Sequence, residues 1–454
     1  MYKIKEDKNV ENNKKFFKTV CSLAIPVALQ SMLQSSFSIV DQIMIGQLGK
    51  VSVAGVGLVG KFTSIFSVLI AAVGTVAGIM ISQYVGQKNK REIHRSFRLN
   101  LFMVLGIAAL FMLPCAFFSQ RVMGLYTNDY DTMREAAGYL FIVTLTFVPM
   151  AGTTILSTLF RCMEKASLPL YAGIVAALLN TGLNYVLIFG KFGFKPMGIT
   201  GAAIATVISQ VANLIIMVVM FIKYRARFDE GYTDGEEETF KWKQYAGILL
   251  PILVCELMWS LGENVYAGIY GHLGTDDCAA MTLINPIQGL MIGALCGLSQ
   301  AAGVIIGKLL GNKEYDDAYR ASKKLIWYGF AGSAILSVVI LLTRQYYVEI
   351  YQVEESVKTL TKQILVAYAI VAPFKVLNMI LGGGIIRSGG KTKYVMVIDI
   401  IGTWIFGVPL GLFAAFVCNL SIPYVYFILS LEECVRFGIS LVVFKRKGWM
   451  QSLK

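Results

Sequence analysis

Two long runs without a charged residue constrain this chain most strongly. They extend over 62–85 and 199–222, and about 20 apolar residues in a helix cross the roughly 30 Å hydrocarbon core of a bilayer. Of the 454 residues, 56% are hydrophobic and 15% are charged, whereas soluble domains carry about 25% charged residues. We therefore predict an all-α membrane protein. Its twelve predicted transmembrane helices lie at roughly 17–45, 51–84, 97–118, 133–159, 168–190, 198–222, 245–270, 279–307, 324–343, 360–385, 394–416 and 421–443.

The two halves of the chain resemble each other. A shift of 225 positions aligns 25–95 with 250–320 without a gap, and about 13 of the 71 aligned positions are identical. We therefore predict two pseudo-symmetric six-helix lobes, an N-terminal lobe at 1–222 and a C-terminal lobe at 245–454, joined by a cytoplasmic linker at 223–244. Because each half has an even number of spans, the symmetry axis is expected along the membrane normal with a cleft between the lobes. The identical pairs include Pro26/Pro251, Gly46/Gly271, Gly49/Gly274, Gly78/Gly303, Gly86/Gly311 and Arg95/Arg320.

The basic residues concentrate on one side of this predicted topology. The chain has 41 Lys and Arg residues and a formal net charge of +13. With a cytoplasmic amino terminus, about 30 of these basic residues fall on the cytoplasmic side, which is the positive-inside pattern. The pattern predicts a multi-pass protein of the cell membrane with both termini in the cytoplasm. It also accounts for the positive charge without a nucleic-acid partner.

Other motifs argue against nucleotide, metal and enzymatic chemistry. Gly55, Gly57 and Gly60 form a GxGxxG pattern, but no strand precedes it, so no nucleotide site and no ATP-driven step are expected. The eight cysteines have no CxxC spacing and are predicted to be small packing residues rather than disulfide or metal ligands. We see no HExxH, GxSxG or Cys/His pairing, so a membrane-embedded enzyme is the least favoured alternative.

The first span carries the residue that we expect to matter most. Gln34, Ser38 and Asp41 share one helix face, because they are spaced by four and three residues. A charged Asp at the bilayer centre costs roughly 2.5 to 3.5 kcal/mol, so this carboxylate is expected to face the protein interior or a cavity. The alternative is a solvated position near the outer interface, just before Gly46 and Gly49.

Further polar residues lie inside predicted spans of both halves. In the first half, Asn180 and Asn184 share one face of span five, and Thr206 lies in span six. In the second half, the default interpretation of Glu432, Glu433 and Arg436 is a set of ion pairs within one helix. The other intramembrane polar residues of the second half include Glu256, Glu263, Lys375, Asn378 and Asp399.

The sequence resembles the multidrug and toxic compound extrusion (MATE) antiporters over nearly its whole length. The motifs that carry the resemblance are IPVALQSMLQSSFSIVDQIMIGQLG and its counterpart LPILVCELMWSLGENVYAGIYGHLG, the GQKNKREIHR turn, LFRCMEKASLPLY, LLNTGLNYVLIFG, GITGAAIATVISQ and GGGIIRSGGKTKYVM. The resemblance implies two six-helix lobes that face each other in a V. It also implies export of cationic or amphipathic toxic compounds in exchange for Na⁺ or H⁺.

Several residues match functional positions of that family. Asp41 matches the first-helix Asp, Gln34 matches a Gln implicated in substrate contact, and Thr206 matches the sixth-helix Thr. Many members have Asn followed four residues later by Asp in helix five, where this chain has Asn184, so the second carboxylate of that lobe is absent. The seventh-helix Glu and tenth-helix Asp of sodium-type members are also absent. Glu256 and Asp399 are instead similar to acids of a bacterial branch close to the staphylococcal-type exporters.

These matches lead us to expect drug/cation antiport by alternating access. A proton or a Na⁺ would neutralise Asp41, change the helix packing around Pro26 and release the drug. No cofactor other than this coupling ion is expected, and the expected partners are small-molecule drugs and membrane lipids, with the protein a monomer. The residues expected to hold the cation are Asp41, Asn180, Asn184 and Thr206, with Asp41 as the possible Na⁺ ligand. The residues expected to contact substrate are Gln34, Ser38, Glu256 and Asp399.

A flippase for lipid-linked saccharides is the first alternative, because it belongs to the same superfamily and has the same two-lobe layout. Such a protein commonly has a cationic cleft for an anionic head group. The intramembrane charges of this chain are mostly acidic, which favours drug efflux.

Overall fold

The computed structural model describes residues 2–229, 232, 242–351 and 353–453. All the regular structure in these residues is helical. Eleven helices within the described part are long and apolar enough to cross a membrane. These observations confirm the predicted all-α membrane fold. The helices are α1 (Tyr2–Gly46), α2 (Lys50–Gly86), α3 (Lys90–Gly124), α4 (Tyr130–Cys162), α5 (Ser167–Phe189), α6 (Gly198–Asp229), α7 (Trp242–Leu273), α8 (Thr275–Gly311), α9 (Tyr315–Glu349), α10 (Glu355–Ile386), α11 (Thr392–Val417), α12 (Ile422–Ser430) and α13 (Glu432–Lys445).

The twelve predicted spans correspond to these helices in order, but most of the helices are longer than the apolar runs. The third span was predicted at 97–118, for example, whereas α3 begins at Lys90, capped by the Asn89 side chain, which accepts from the Glu92 amide. The length of an apolar run matches the thickness of the hydrocarbon core. A helix can extend beyond that core, because it ends where its terminal backbone groups are capped. The twelfth span differs in another way, because it consists of two helices, α12 and α13, separated at Leu431.

The chain forms two compact units. The first unit comprises Leu29–Glu238, and the second unit comprises Met1–Ala28 together with Thr239–Lys454. The amino-terminal part of α1 thus groups with the second half of the sequence, whereas the predicted lobes divide the chain at the central linker. The boundary between the units falls two residues after Pro26, which lies inside α1 and removes one hydrogen bond from its backbone.

Contacts of the amino-terminal segment explain this grouping. Lys324 on α9 donates to the side-chain oxygen of Asn13 at 2.5 Å, and the rings of Phe17 and Tyr328 meet edge to face at 5.5 Å between centroids. Gly297 on α8 packs directly against the α1 backbone near Ala24, where a Cβ atom would collide with the carbonyl oxygen. These contacts lie entirely within the second unit.

Two helices of the second unit contain π-helical segments next to polar groups. In α10 the segment is Met379–Ile386, and the Ser299 hydroxyl of α8 donates to the Met379 carbonyl at 2.7 Å. In α11 the first such segment is Ile401–Gly407. A π-helical turn carries one extra residue and frees backbone groups for other partners, and it is frequent at functional sites.

Close packing of α8 on α10 generates a testable prediction. A Cβ atom at Gly384 would lie 2.6 Å from the Ser299 carbonyl oxygen, and this backbone atom cannot rotate away. We expect Gly384→Ala to lower the unfolding free energy by about 1 to 3 kcal/mol, as overpacking does. Thermal unfolding of the purified protein in detergent would measure the loss.

Gly289→Ala on α8 is the matched control, because no atom lies within 4 Å of the position of its added Cβ. Alanine has a higher helix propensity than glycine, so this variant should unfold at the same temperature as the wild type or at a slightly higher one. Equal melting temperatures for the two alanine variants would contradict the tight contact at Gly384.

Candidate functional site

The first unit brings Asp41, Asn180, Asn184 and Thr206 together from three helices. The Asn184 amide donates to the Asp41 carboxylate at 2.7 Å and to the Asn180 oxygen at 3.2 Å. The Asn180 amide reaches the Thr206 hydroxyl at 3.5 Å. The four-residue spacing in α5 accounts for the pairing of the two asparagines, since it places them on one face. The polar cluster thus contains the four residues that the sequence singled out in spans one, five and six.

Close packing of α6 on α5 positions this cluster. Gly190, at a φ of 66°, ends α5 in a left-handed conformation that suits glycine. Gly201 then lies directly on α5, where a Cβ atom would come within 2.8 Å of the Leu187 carbonyl oxygen. The close approach, one turn from Asn184, lets Thr206 reach the asparagines.

An apolar cluster covers one end of the polar cluster. Ile45, Ile188 and Ala202 pack together and are buried. Each lies four residues from a polar cluster member on its own helix, so one helical turn separates the two layers. The apolar layer excludes water from that end and leaves the carboxylate dependent on its protein partners.

Burial is uneven within the polar cluster. Asn184 is only 1% exposed, whereas Asp41 is half-buried. Among the described residues, the Asn184 amide oxygen has no hydrogen-bond partner. A buried amide oxygen without a partner is costly, and a small cation beside Asp41 would provide one.

The Asn180 amide can face the carboxylate in two ways. One of its two terminal atoms lies 3.0 Å from both Asp41 oxygens. With nitrogen in that place, the amide donates to the carboxylate. With oxygen there, three oxygens converge, which is favourable when a proton or a cation lies among them. The same side chain therefore fits both a free and a neutralised Asp41.

Tyr139 on α4 is a member of the site that the sequence analysis missed. Its hydroxyl lies near Thr206, and it is near enough to Asp41 to interact with its charge. No spacing pattern links α4 to the polar residues of α1 and α5. A tyrosine in an apolar span was the only available signal, and tyrosines are too common in such spans to be selective.

Gln34 and Ser38 lie on the two α1 turns before Asp41, on the face that the spacing predicted. Both side chains are exposed within their unit. The other expected substrate contacts, Glu256 and Asp399, belong to the second unit. The four residues are thus divided equally between the two units.

In the second unit, Glu256 and Asp399 are held in a chain of polar contacts through Arg387. The Arg387 guanidinium pairs with Glu256 at 3.4 Å and donates to the Cys255 sulfur at 3.1 Å. The Cys255 thiol in turn donates to Asp399 at 2.7 Å. The cysteines were predicted to be small packing residues, but Cys255 also makes two polar contacts. It links a guanidinium to a carboxylate.

Arg436 on α13 is the centre of a second charged group. It pairs with Glu432 at 3.6 Å and with Glu433 at 3.9 Å, which confirms the ion pairs expected within this helix. Arg436 also lies 3.9 Å from Asp399 and donates to the Thr403 hydroxyl. At 7% exposure it is buried, so these partners are needed to offset the loss of hydration.

Glycines in the π-helical segment of α11 make room for these charges. A Cβ atom at Gly402 would collide with the Arg436 side chain, and one at Gly407 would collide with Glu432 and the Tyr266 hydroxyl. The Tyr266 hydroxyl donates to Glu432 at 2.5 Å, and the Asn378 amide donates to Glu433 at 2.8 Å. Each of the two glutamates therefore has a neutral donor in addition to Arg436.

Two cavities adjoin this charged group. One, of about 290 Å³, lies among α7, α8, α10, α12 and α13. The other, of about 270 Å³, lies among α7, α8, α10, α11 and α13. Lys375 and Glu433 line both of them. The sequence analysis identified Lys375 as a polar residue within a predicted span, but it did not predict that Lys375 lines two cavities.

The long apolar helices identify a multi-pass membrane protein. They enclose carboxylate, amide and guanidinium groups that are held by hydrogen bonds and ion pairs. The sequence model of the MatE family matches residues 26–186 and 251–413, which together are more than half of the chain. The chain therefore belongs to the MATE family. The second match begins 225 residues after the first, the shift found between the two halves.

Known proteins of this kind align with most of the chain. YisQ of Bacillus subtilis (strain 168), an uncharacterized transporter, is 23% identical over 95% of this chain and 94% of its own length. YoeA of the same organism, a probable multidrug resistance protein, is 23% identical over 89% of this chain and 91% of its own length. The crystal structure of MATE in complex with MaL6 superimposes with a TM-score of 0.86 at 17% identity, over 95% of this chain and 96% of that chain.

These comparisons confirm the fold and place the chain among transporters rather than enzymes. As a MATE transporter it moves small molecules and uses an ion gradient instead of a cofactor.

The charged group around Arg436 yields a second prediction. Removing one partner of a buried ion pair leaves an uncompensated charge and costs about 3 to 5 kcal/mol. We therefore expect Arg436→Met to lower the melting temperature in detergent strongly, and we expect the added change Glu433→Gln to restore part of the loss.

Arg320→Met is the control, because the Arg320–Asp317 pair is exposed, with the arginine side chain 72% accessible. Exposed pairs contribute little, so this variant should melt close to the wild type. If Arg436→Met behaved like Arg320→Met, the buried pairs would not stabilise the fold.

Proposed function

We propose that this protein exports cationic or amphipathic toxic compounds by antiport with H⁺ or Na⁺, and that Asp41 carries the coupling ion. The observation that supports this most directly is the half-buried Asp41 carboxylate held at 2.7 Å by Asn184 among oxygen-bearing side chains. A carboxylate inside a membrane span is a functional site by default. The names of the relatives, which include probable multidrug resistance proteins, favour drugs over lipid-linked saccharides as cargo.

The cluster can accept either cation. A proton would bind one Asp41 oxygen, and the Asn180 amide oxygen could then face it at 3.0 Å. A Na⁺ would take oxygens from Asp41, Asn180, Asn184 and Thr206, and hard cations prefer such carboxylate, amide and hydroxyl ligands. Only one carboxylate is present, so one bound monovalent cation makes the cluster neutral.

Neutralisation of Asp41 provides the conformational switch. A charged carboxylate holds the Asn184 amide by a charge-assisted hydrogen bond, and a neutral one holds it about half as strongly. The part of α1 beyond Pro26 is then free to change its packing, because the helix already lacks one backbone hydrogen bond at that proline. Alternating access follows when drug and cation favour opposite states of this segment.

The membrane potential adds to the driving force. Each charge that moves through 100 mV contributes about 2.3 kcal/mol. Inward movement of one cation on Asp41 can therefore support outward movement of a drug without net charge against roughly a fiftyfold gradient. Exchange for a monovalent cationic drug moves no net charge, so the concentration gradient of the coupling ion drives that exchange.

Gln34, Ser38, Glu256 and Asp399 are the proposed drug contacts. Gln34 and Ser38 are exposed within the first unit and can bond a drug without losing a protein partner. Glu256 and Asp399 are engaged by Arg387 and Cys255, so a cationic drug group would compete with these two partners.

The topology belongs to the same proposal. The basic connecting segments support cytoplasmic termini and a location in the cell membrane, in contact with its lipids. A monomer suffices, because the proposed ion and drug contacts all come from one chain.

The proposed role of Asp41 gives a third prediction. Asp41→Asn keeps the shape and one oxygen that can accept from Asn184, but it has no charge for a cation to neutralise. We expect this variant to lower the rate of drug efflux at least tenfold and to remove the dependence of efflux on the ion gradient. Fluorescent-drug efflux from proteoliposomes, with the pH gradient and the Na⁺ gradient imposed separately, measures both effects and identifies the coupling ion of the wild type.

Asp131→Asn serves as the control for this experiment. Asp131 lies in the same unit and is exposed in the first turn of α4, so its loss should change neither efflux nor ion dependence. Full efflux with intact ion coupling in folded Asp41→Asn protein would refute the assignment of the coupling site.

A further inference from the structure

The 290 Å³ cavity of the second unit has charged groups of both signs on its wall. Lys375 projects from α10, and three glutamates, Glu263, Glu432 and Glu433, come from α7 and α13. Lys375 lies near enough to all three to interact with their charges.

Two of the glutamates are occupied by neighbours. Glu432 accepts from Tyr266 and pairs with Arg436, and Glu433 accepts from Asn378 and also pairs with Arg436. Both are 6% exposed. They are parts of the charged group around Arg436 rather than open binding groups.

Lys375 and Glu263 differ from them. Among the described residues, neither side chain has a hydrogen-bond or ion-pair partner. Glu263 is exposed and Lys375 half-buried. An ammonium and a carboxylate thus line the same cavity without being joined to each other.

Keeping such a pair apart inside a membrane span is unfavourable unless both charges find partners. A molecule that carries a carboxylate at one end and an ammonium at the other would satisfy both and would add no net charge. An anion would leave Glu263 without a direct partner, and a cation would leave Lys375 without an ion pair, with only the more distant charges of the glutamates near it.

The rest of the wall suits an aromatic or apolar body. Four tyrosines contribute to it, and two of them, Tyr270 and Tyr426, lie 6.5 Å apart between ring centroids. Tyrosine faces pack against flat apolar groups and also attract ammonium groups. The volume of about 290 Å³ is near the lower end of the usual range for small-molecule sites, which starts at about 300 Å³.

We propose that this cavity binds zwitterionic amphiphiles, with the carboxylate of the ligand at Lys375, its ammonium at Glu263 and its apolar body against the tyrosines. The proposal deepens the proposed efflux function by naming a substrate class, and it rests on that function only for the step of transport. Binding itself can be tested separately.

The test uses purified full-length protein in nanodiscs and two matched sets of ligands. One set is phenylalanine, its methyl ester and its N-acetyl derivative. The other is 4-(aminomethyl)benzoate, its methyl ester and its N-acetyl derivative. Each set contains a zwitterion, a cation and an anion with the same ring, and the sets differ in charge separation. Affinities are measured by calorimetric titration.

For at least one set, we expect the zwitterion to bind about tenfold or more tighter than its ester and its N-acetyl form, because each of these two derivatives loses one charge-assisted hydrogen bond. Lys375→Met should weaken zwitterion binding to the level of the ester and leave the ester unweakened. Glu263→Gln should weaken the zwitterion to the level of the N-acetyl form. Lys391→Met, an exposed lysine of the same unit, should change nothing.

Two results would overturn the proposal. If the three members of each set bind with equal affinity, the cavity does not recognise both the carboxylate and the ammonium of a ligand. If Lys375→Met tightens the ester and leaves the zwitterion unchanged, Lys375 merely offsets the glutamates and the cavity is a cation site. Glu263→Gln keeps the proposal testable even if the lysine variant does not fold, which its melting temperature would reveal.

Transport assays separate this proposal from the efflux function. If the binding pattern holds but wild-type proteoliposomes export neither these ligands nor cationic dyes, the efflux function fails and the binding site stands. If dyes are exported in an ion-dependent way while the binding pattern is absent, the zwitterion site fails alone.

Discussion

A carboxylate within a membrane-length helix needs partners from the protein, and the arrangement of the first unit follows from that need. Asp41 obtains them from Asn184 and, when the Asn180 amide nitrogen faces the carboxylate, from Asn180. Thr206 joins the asparagines because Gly201 lets α6 approach α5 closely. The apolar layer of Ile45, Ile188 and Ala202 then closes one end of the cluster. The same features make the carboxylate sensitive to a cation, since neutralisation changes the strength of its main hydrogen bond.

The second unit meets the same need with more charges. Two of its arginines, Arg387 and Arg436, each pair with a carboxylate on another helix. Cys255 connects the two groups, because it accepts from Arg387 and donates to Asp399. Glycines in the π-helical segment of α11 provide the space for the large side chains. The two halves match one family model at a spacing of 225 residues, so related sequences have acquired different polar interiors. One interior is built on a single carboxylate with amides, the other on several carboxylates with guanidinium groups.

This difference suggests a division of roles. A site with one carboxylate and few fixed cations can be neutralised by a single ion, which suits coupling. A site whose carboxylates are already paired responds less to one ion, but its cavities, near Lys375 and Glu433, have the size and the mixed charge that an organic ligand requires.

The sequence by itself determined the helical membrane fold, the two related halves and the polar residues of the first unit. Charge-free length gives the spans, and a four-residue spacing gives the shared face of Asn180 and Asn184. It could not give Tyr139, the Arg387–Cys255–Asp399 contacts or the cavities beside Lys375. Those depend on how each helix is rotated and how deep it sits against helices more than a hundred residues away in the chain, as for Cys255 and Asp399. Periodicity fixes which residues of one helix share a face, but only tertiary packing decides what that face meets.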